Sequence, residues 1–166
     1  LVNNAGGQFS APALKISPNG FRSVIDLNLV GTWHTSLAFA KQRIAHGGGG
    51  RILNIVLSIE SGSPGYAHAG AARAGVINLT KTLAIELASN GLTVNSIAPG
   101  TIATSSLEAY DAAITAKAIE NLPIKRMGEP FEVAQLVAFL ASPAGDYITG
   151  TCMVIDGGKQ LFRYVA

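Results

Sequence analysis

The stretch "GYAHAGAARAGVINLTK", Gly65 to Lys81, places a phenol, Tyr66, and a cation, Arg73, among small and apolar residues. A tyrosine and a lysine one helical turn apart can act as a proton-transfer pair, the phenol giving the proton and the cation tuning it. Here the residue four before Arg73 is Ala69. Alanine has no proton to give, and arginine keeps its charge at any useful pH, so Arg73 reads as a fixed electrostatic clamp. Lys81 stands about 12 Å further along a helix and ~80° off that face, which suits a solvated helix charge. Tyr66 precedes Arg73 by seven residues, so on a continuous helix the two would share a face, about 10 Å apart along the axis. It is either a displaced acid whose hydroxyl swings toward a pocket or a rim tyrosine packing its ring. Ser58, Ser61 and Ser63 add hydroxyls just upstream; His68 and His34 receive no role.

Strand-like runs alternate with helix-length periodic segments, the pattern of βαβ units on a parallel sheet. Leu1–Val2 ends a first strand, and Ser17-Pro18 caps a helix that runs to about Ala45, with Phe21, Val24, Ile25 and Asn28 on one face. "HGGGG" stops it. Arg51–Leu57 reads as a strand, Ala67–Ser89 as a helix with Val76, Leu79, Leu83 and Leu87 inward, and "SNG" as its left-handed cap. Leu92–Ala98 is a strand, 104–121 a helical excursion, Glu129-Pro130 starts a helix through Ala141 and Cys152–Asp156 is the last strand. Ligands gather beyond the carboxyl ends of such strands, here "NNAGG", "VLSIESGSPGY", "APGTIAT" and "DGG".

The chain has 166 residues, 48% hydrophobic and 13% charged, with net charge +2. That length bounds one core-rich domain, and the scattered charges form no basic stripe for nucleic acid. The lone Cys152 excludes an internal disulfide, suits a reducing compartment and reads as a buried thiol. No apolar run reaches the ~18 residues of a membrane span, and no metal-ligand set is identified.

Singly, the motifs have ordinary readings: "NNAG" and "DGG" as turns, Thr101 or Thr104 as helix caps, Asn28 as a partner of backbone. Together, "LVNNAG", "NLVG", "RILNI", "LTKTLAIELA", "TVNSIAPGTIAT" and "ITGTCMVIDGG" resemble the short-chain dehydrogenase/reductase family over about Leu1 to Leu161. The resemblance implies an α/β fold, the C-terminal part of a Rossmann-type doubly wound parallel sheet. It places Asn4, Ala5 and Gly6 beside the adenosine and ribose of a nicotinamide dinucleotide, and Pro99, Gly100, Ile102 and Thr104 beside its nicotinamide end. Asn28 becomes the group that supports a proton-relaying water.

Three departures accompany the resemblance. The glycine-rich phosphate loop is absent, so residues 1–166 are expected to be a partial NAD(P)-binding domain, a segment of a longer enzyme. The tyrosine–lysine pair maps onto Ala69 and Arg73. The family's serine falls at Val56 or Leu57, leaving Ser58 as the nearest hydroxyl. Asn28, Ser58, Tyr66 and Arg73 are thus the candidate catalytic residues. Loss of the usual acid disfavours carbonyl–alcohol chemistry and suits reduction of a double bond conjugated to a thioester, where a cation stabilises the enolate oxygen. "NNAGGQF", "ISPNGF", "SGSPGYAHAGAARAGVINLTKTLAIE" and "LPIKRMGEPFEVA" resemble the enoyl-CoA and dienoyl-CoA reductase branch, nearest its peroxisomal trans-2-enoyl-CoA reductase type. That implies NADP, with NAD as the other option, and acyl-CoA or another small molecule as substrate. The last strand implies a homo-oligomer, usually a tetramer in this family. No membrane or nucleic-acid partner is expected. The sequence stops at "RYVA" without a Ser-Lys-Leu ending; a cytoplasmic location is expected, with a peroxisomal one as the alternative. The competing readings are a generic alcohol or ketone reductase and a non-catalytic dinucleotide-fold protein.

Overall fold

The computed structural model describes residues 1–58, 62–104, 119–120 and 122–164. Four parallel strands form one sheet in the order β1 (Val2–Asn3), β2 (Gly50–Ile55), β3 (Leu92–Pro99) and β4 (Cys152–Ile155). The expected strands are all present, with bounds shifted by one or two residues. Side chains on β2 alternate between two cores, as a sheet covered on both faces requires. Ile52 packs with Ala40, Leu83 and Val94 under the helices α2 (Gly31–Ala45) and α3 (Ala67–Leu87). Leu53 packs with Ile97 and Leu140 under α4 (Pro130–Ala141). The sheet is therefore doubly wound.

The helix expected from Pro18 to Ala45 runs without a break but is not uniform. Helix α1 (Pro18–Ile25), capped by the Ser17 hydroxyl, passes into a π turn at Asp26–Val30 and then into α2. The Gly31 N–H reaches back five residues to the Asp26 carbonyl. Such turns loosen the backbone ladder, and here side chains take up its carbonyls: Asn28 Nδ2 donates to Val24 O at 2.8 Å and Thr32 Oγ1 donates to Asn28 O at 2.8 Å. The turn packs against α3 at Gly75, where a Cβ would stand 2.9 Å from Leu29 Cδ2. The sequence pattern did not reveal it. Of the residues expected to share that face, Val24 and Asn28 are buried whereas Phe21 is exposed.

Helix α3 ends through a short 3₁₀ turn, Ala88–Asn90, at Gly91, whose φ of 72° is the expected left-handed cap. Cys152 is half-buried against Val56, Val76 and Ala98, less enclosed than expected. The expected excursion over 104–121 lies almost wholly outside the described residues.

A polar ladder joins the strands to these helices. Asn3 Nδ2 donates to Ser36 Oγ (2.9 Å) and Asn54 Oδ1 (2.8 Å), and Asn54 Nδ2 donates to Thr80 Oγ1 (2.9 Å). Thr35 Oγ1 donates to Asn3 Oδ1, and Thr80 Oγ1 to Val76 O. The ladder ties β1, β2, α2 and α3 into one rigid block behind the strand ends.

Candidate active site

A parallel crossover runs α3 back antiparallel to β2, so its first turn opens beside the carboxyl ends of the strands. The Arg73 guanidinium turns toward the end of β2 and donates from Nη1 to Ile55 O at 2.9 Å. The described residues contain two ion pairs, Arg51–Asp146 and Arg126–Glu132, and neither includes Arg73. Burial pushes Arg73 below its ordinary pKa, because desolvation penalises the charge.

Gly6 fits against this cation. A Cβ there would stand 2.1 Å from Arg73 Nη2 and 2.6 Å from Asn28 Oδ1. Only a residue without a side chain lets the loop after β1 come so close. Asn28 clasps the same loop, donating from Nδ2 to Gly7 O at 2.8 Å and accepting from Gly7 N–H at Oδ1, 3.2 Å. Gly6, Asn28 and Arg73, separated by up to 67 positions in the chain, thus form one cluster, and the π turn sets Asn28 into it. The side chain of Asn28 works on backbone, one of the two readings its sequence context allowed.

Ser58 is held elsewhere. Its hydroxyl donates to Asp156 Oδ2 at 2.8 Å, and the same carboxylate accepts from the Gly158 and Gln160 N–H groups. Asp156, read from sequence as part of an ordinary "DGG" turn, therefore joins the end of β2 to the end of β4. A Cβ on Gly100 would stand 2.6 Å from Asp156 Cα, so the "PG" after β3 closes on this turn too. Tyr66 occupies the N-cap of α3 with φ −138° and ψ 39°, outside the helix that carries Arg73. It sits half-buried at the helix entrance, the rim placement that "SPG" implied. Ala69, where the resemblance sets the usual tyrosine, is buried in the first turn.

Asn4, Ala5 and Gly6 are exposed in the loop after β1, and Gly100, Ile102 and Thr104 follow β3. Ile102 bridges to Gly128, fixing the start of that loop. Next to it a cavity of about 100 Å³ is lined by Thr101, Ile102, Ile124, Arg126 and Asp156, among others. It is too small for a dinucleotide. The loops after β1 and β3, with accessible backbone and small residues at their tips, fit a flat ligand laid across the strand ends. Among the described residues no helix is long and apolar enough to cross a membrane.

The family model described as "Enoyl-(Acyl carrier protein) reductase" matches residues 1–160. The chain belongs to the short-chain dehydrogenase/reductase family. A Bacillus subtilis protein named "Probable 2,4-dienoyl-CoA reductase" is 42% identical over 99% of this chain. A Synechocystis protein named 3-oxoacyl-[acyl-carrier-protein] reductase is 43% identical over 98% of it. The chain spans 66% and 65% of the lengths of these two relatives. An Agrobacterium tumefaciens structure with bound NADP superposes with a TM-score of 0.92 at 38% identity, covering 97% of this chain and 67% of that one. A Bacillus anthracis short-chain dehydrogenase gives 0.86 at 42%, covering 96% and 63%. This family's fold confirms the Rossmann-type sheet implied by the motifs.

The sequence reading missed the π turn, Asp156 and the buried state of His68. For Asp156 the signal was available, since an acid directly after a strand lies among the ligand-facing ends. For the π turn no local signal exists.

Proposed function

We propose that the complete protein is an NADPH-dependent reductase acting on the carbon–carbon double bond of an enoyl- or dienoyl-CoA thioester. The observation that carries this reading is the Arg73 guanidinium, held by Ile55 O against Gly6 and Asn28, with alanine where a proton-donating tyrosine would stand. A half-buried, permanently charged donor suits an oxygen that gains negative charge and keeps it as an enolate, which needs stabilising but no immediate proton. The α-carbon then takes its proton from Tyr66 at the rim or from water.

NADPH supplies the hydride when bound. Asn4, Ala5 and Gly6 would hold its adenosine side, and Pro99, Gly100, Ile102 and Thr104 its nicotinamide side. Asn28 keeps the loop after β1 against Arg73. Ser58, already donating to Asp156, has lone pairs left to accept from substrate or water. Support for NADP over NAD comes from the Agrobacterium neighbour; a 4-hydroxyisoleucine dehydrogenase neighbour, TM-score 0.88, was solved with NADH. We also propose a homo-oligomer built through the β4 edge, where Val154 and Leu161 are exposed.

The Synechocystis relative's name favours a second reading, reduction of a 3-oxoacyl carbonyl. NADPH oxidation by the complete protein, followed with trans-2-enoyl-CoA, 2,4-dienoyl-CoA and 3-oxoacyl thioesters in parallel, separates the two. Turnover of the first or second supports the proposal. Turnover of the 3-oxoacyl thioester alone overturns it.

A further inference from the structure

Ser63 stands between β2 and α3, and neither the fold nor the cluster around Arg73 uses its hydroxyl. Its backbone is fixed by a tight turn. The Tyr66 N–H donates to Ser63 O at 2.9 Å, with Pro64 second in the turn and Gly65, φ 81°, third. Proline and a left-handed glycine in that order make a type II turn. The Ala11 N–H donates to Gly65 O at 2.9 Å, which clamps this turn to the loop after β1.

The side chain lies on the first turn of α3. A Cβ on Gly70 would stand 3.3 Å from both Cβ and Oγ of Ser63, so the glycine gives the serine its seat. A serine just ahead of a helix ordinarily caps it by accepting a backbone N–H. Ser63 does not: Tyr66 holds the N-cap, the Ala69 N–H goes to His68 Nδ1 and the Gly70 N–H to Tyr66 O. Among the described residues the Ser63 hydroxyl makes no hydrogen bond, and its oxygen is not enclosed. Arg73 follows Gly70 by three residues, ~60° around the helix and about 4.5 Å along it. Helical side chains lean toward the N-terminus, so Arg73 leans back over the turn that carries Gly70. Gly75, about 160° from Arg73, instead packs on Leu29 of the π turn. Ala84, about 20° from Arg73, meets Gly150 just ahead of β4. Ser63 and Arg73 therefore share the flank of α3 that turns from the π turn toward β4.

We propose that Ser63 is a catalytic residue whose Oγ–H donates to the thioester oxygen of the substrate, completing with Arg73 a pair of donors for the enolate. Ser58 cannot take this part, because its hydrogen is committed to Asp156. Ser63 replaces the missing phenol as a hydrogen-bond donor and not as an acid. Its proton stays on Oγ throughout, and the α-carbon is protonated from Tyr66 or water as above. Donors held on a rigid turn and a helix stabilise a developing oxyanion without reorganising at the moment of reaction. The inference rests on the reductase reading for the identity of the substrate.

The test uses the complete protein. A saturated acyl-CoA, ¹³C-labelled at the thioester carbonyl, is bound with NADP⁺, and its carbonyl stretch is read by isotope-edited infrared spectroscopy. The expected band lies at lower frequency on the parent than in buffer, and moves back upward on Ser63→Ala. The same band on parent and variant overturns the proposal. With an enoyl thioester as substrate, Ser63→Ala is expected to lower kcat about tenfold or more with KM within about twofold, one of two oxyanion donors being lost. A kcat within about twofold of the parent overturns it. Gly70→Ala presses on the Ser63 side chain without removing it. It is expected to lower kcat several-fold in the parent and to add nothing in Ser63→Ala. Equal effects in the two backgrounds overturn the assignment. If the parent binds acyl-CoA but reduces no enoyl thioester, the reductase reading fails by that result, while the carbonyl band still judges Ser63. A parent that binds no acyl-CoA overturns both.

Discussion

Helix α3 encloses polar groups in both halves, His68 and Arg73 in the first and Thr80 in the second, and treats them differently. In the second half Thr80 meets Asn54, Asn54 meets Asn3, and Asn3 meets Ser36 and Thr35, every partner being another residue of the chain. In the first half Arg73 keeps one bond, to a carbonyl, and His68 keeps one nitrogen unmatched. Closed networks rigidify; open ones leave groups available to something that arrives later. The same helix is therefore scaffold at one end and carries the proposed site at the other, and the division falls where the strands end.

Mutation can break that contrast from either side. Arg73→Met removes the open cation and is expected to lower turnover about 100-fold or more. Its Tm should hold or rise, because the variant also removes a desolvated charge without a carboxylate partner. Thermal unfolding beside NADPH-oxidation rates checks both halves of that statement; a large loss of Tm with full activity would place Arg73 in the scaffold. Asn54→Ala acts on the closed end. It should cost about 2–3 kcal/mol of stability and leave kcat close to the parent value, read from denaturant midpoints at constant m.

Tyr66→Phe sharpens the comparison at the helix entrance. A loss of about tenfold in kcat is expected, less than a fully positioned acid supplies, since water also reaches the rim. Unchanged turnover would return Tyr66 to a packing role. The smallest effect lies far from the contrast, at Arg126 and Glu132. Hydrogen bonding from Arg126 and the Glu129 N–H lowers the Glu132 carboxyl to about 2. A depressed folded pKa contributes stability above the ordinary carboxylate value and loses it as pH falls toward 2. A carbon-detected carboxyl titration should show a midpoint near 2, and one near 4.5 would contradict the clasp.

The sheet and its helices were legible because their causes are local. Alternating apolar pairs such as Ile52 and Leu53 reveal a strand buried on both faces, and Ser17-Pro18, Glu129-Pro130 and Gly91 mark helix ends through their own backbone preferences. Ala69 and Arg73 were legible as an altered proton-transfer pair only through the family resemblance, which sets a tyrosine one helical turn before the cation. The expectation that Tyr66 shares the face of Arg73 did not apply, since the helix starts one residue after it. Asn54 lies in a strand of apolar residues and drew no notice as a sequence; only Asn3 and Thr80, from β1 and α3, give its amide partners.

By itself, then, the order of residues determined which segments are strand or helix and which ends face ligands in such a sheet; the missing phenol was implied by the family resemblance. Periodicity, capping and side-chain chemistry act over a few residues, so a linear reading captures them. Tertiary structure decided that Gly6 must be glycine, that Asn28 sits in a π turn, that Ser58 answers to Asp156, and that His68 is buried with one nitrogen unmatched. Each of these depends on atoms brought within a few ångströms from distant parts of the chain. No local pattern carries that distance; the packing of α3 against the strand ends does.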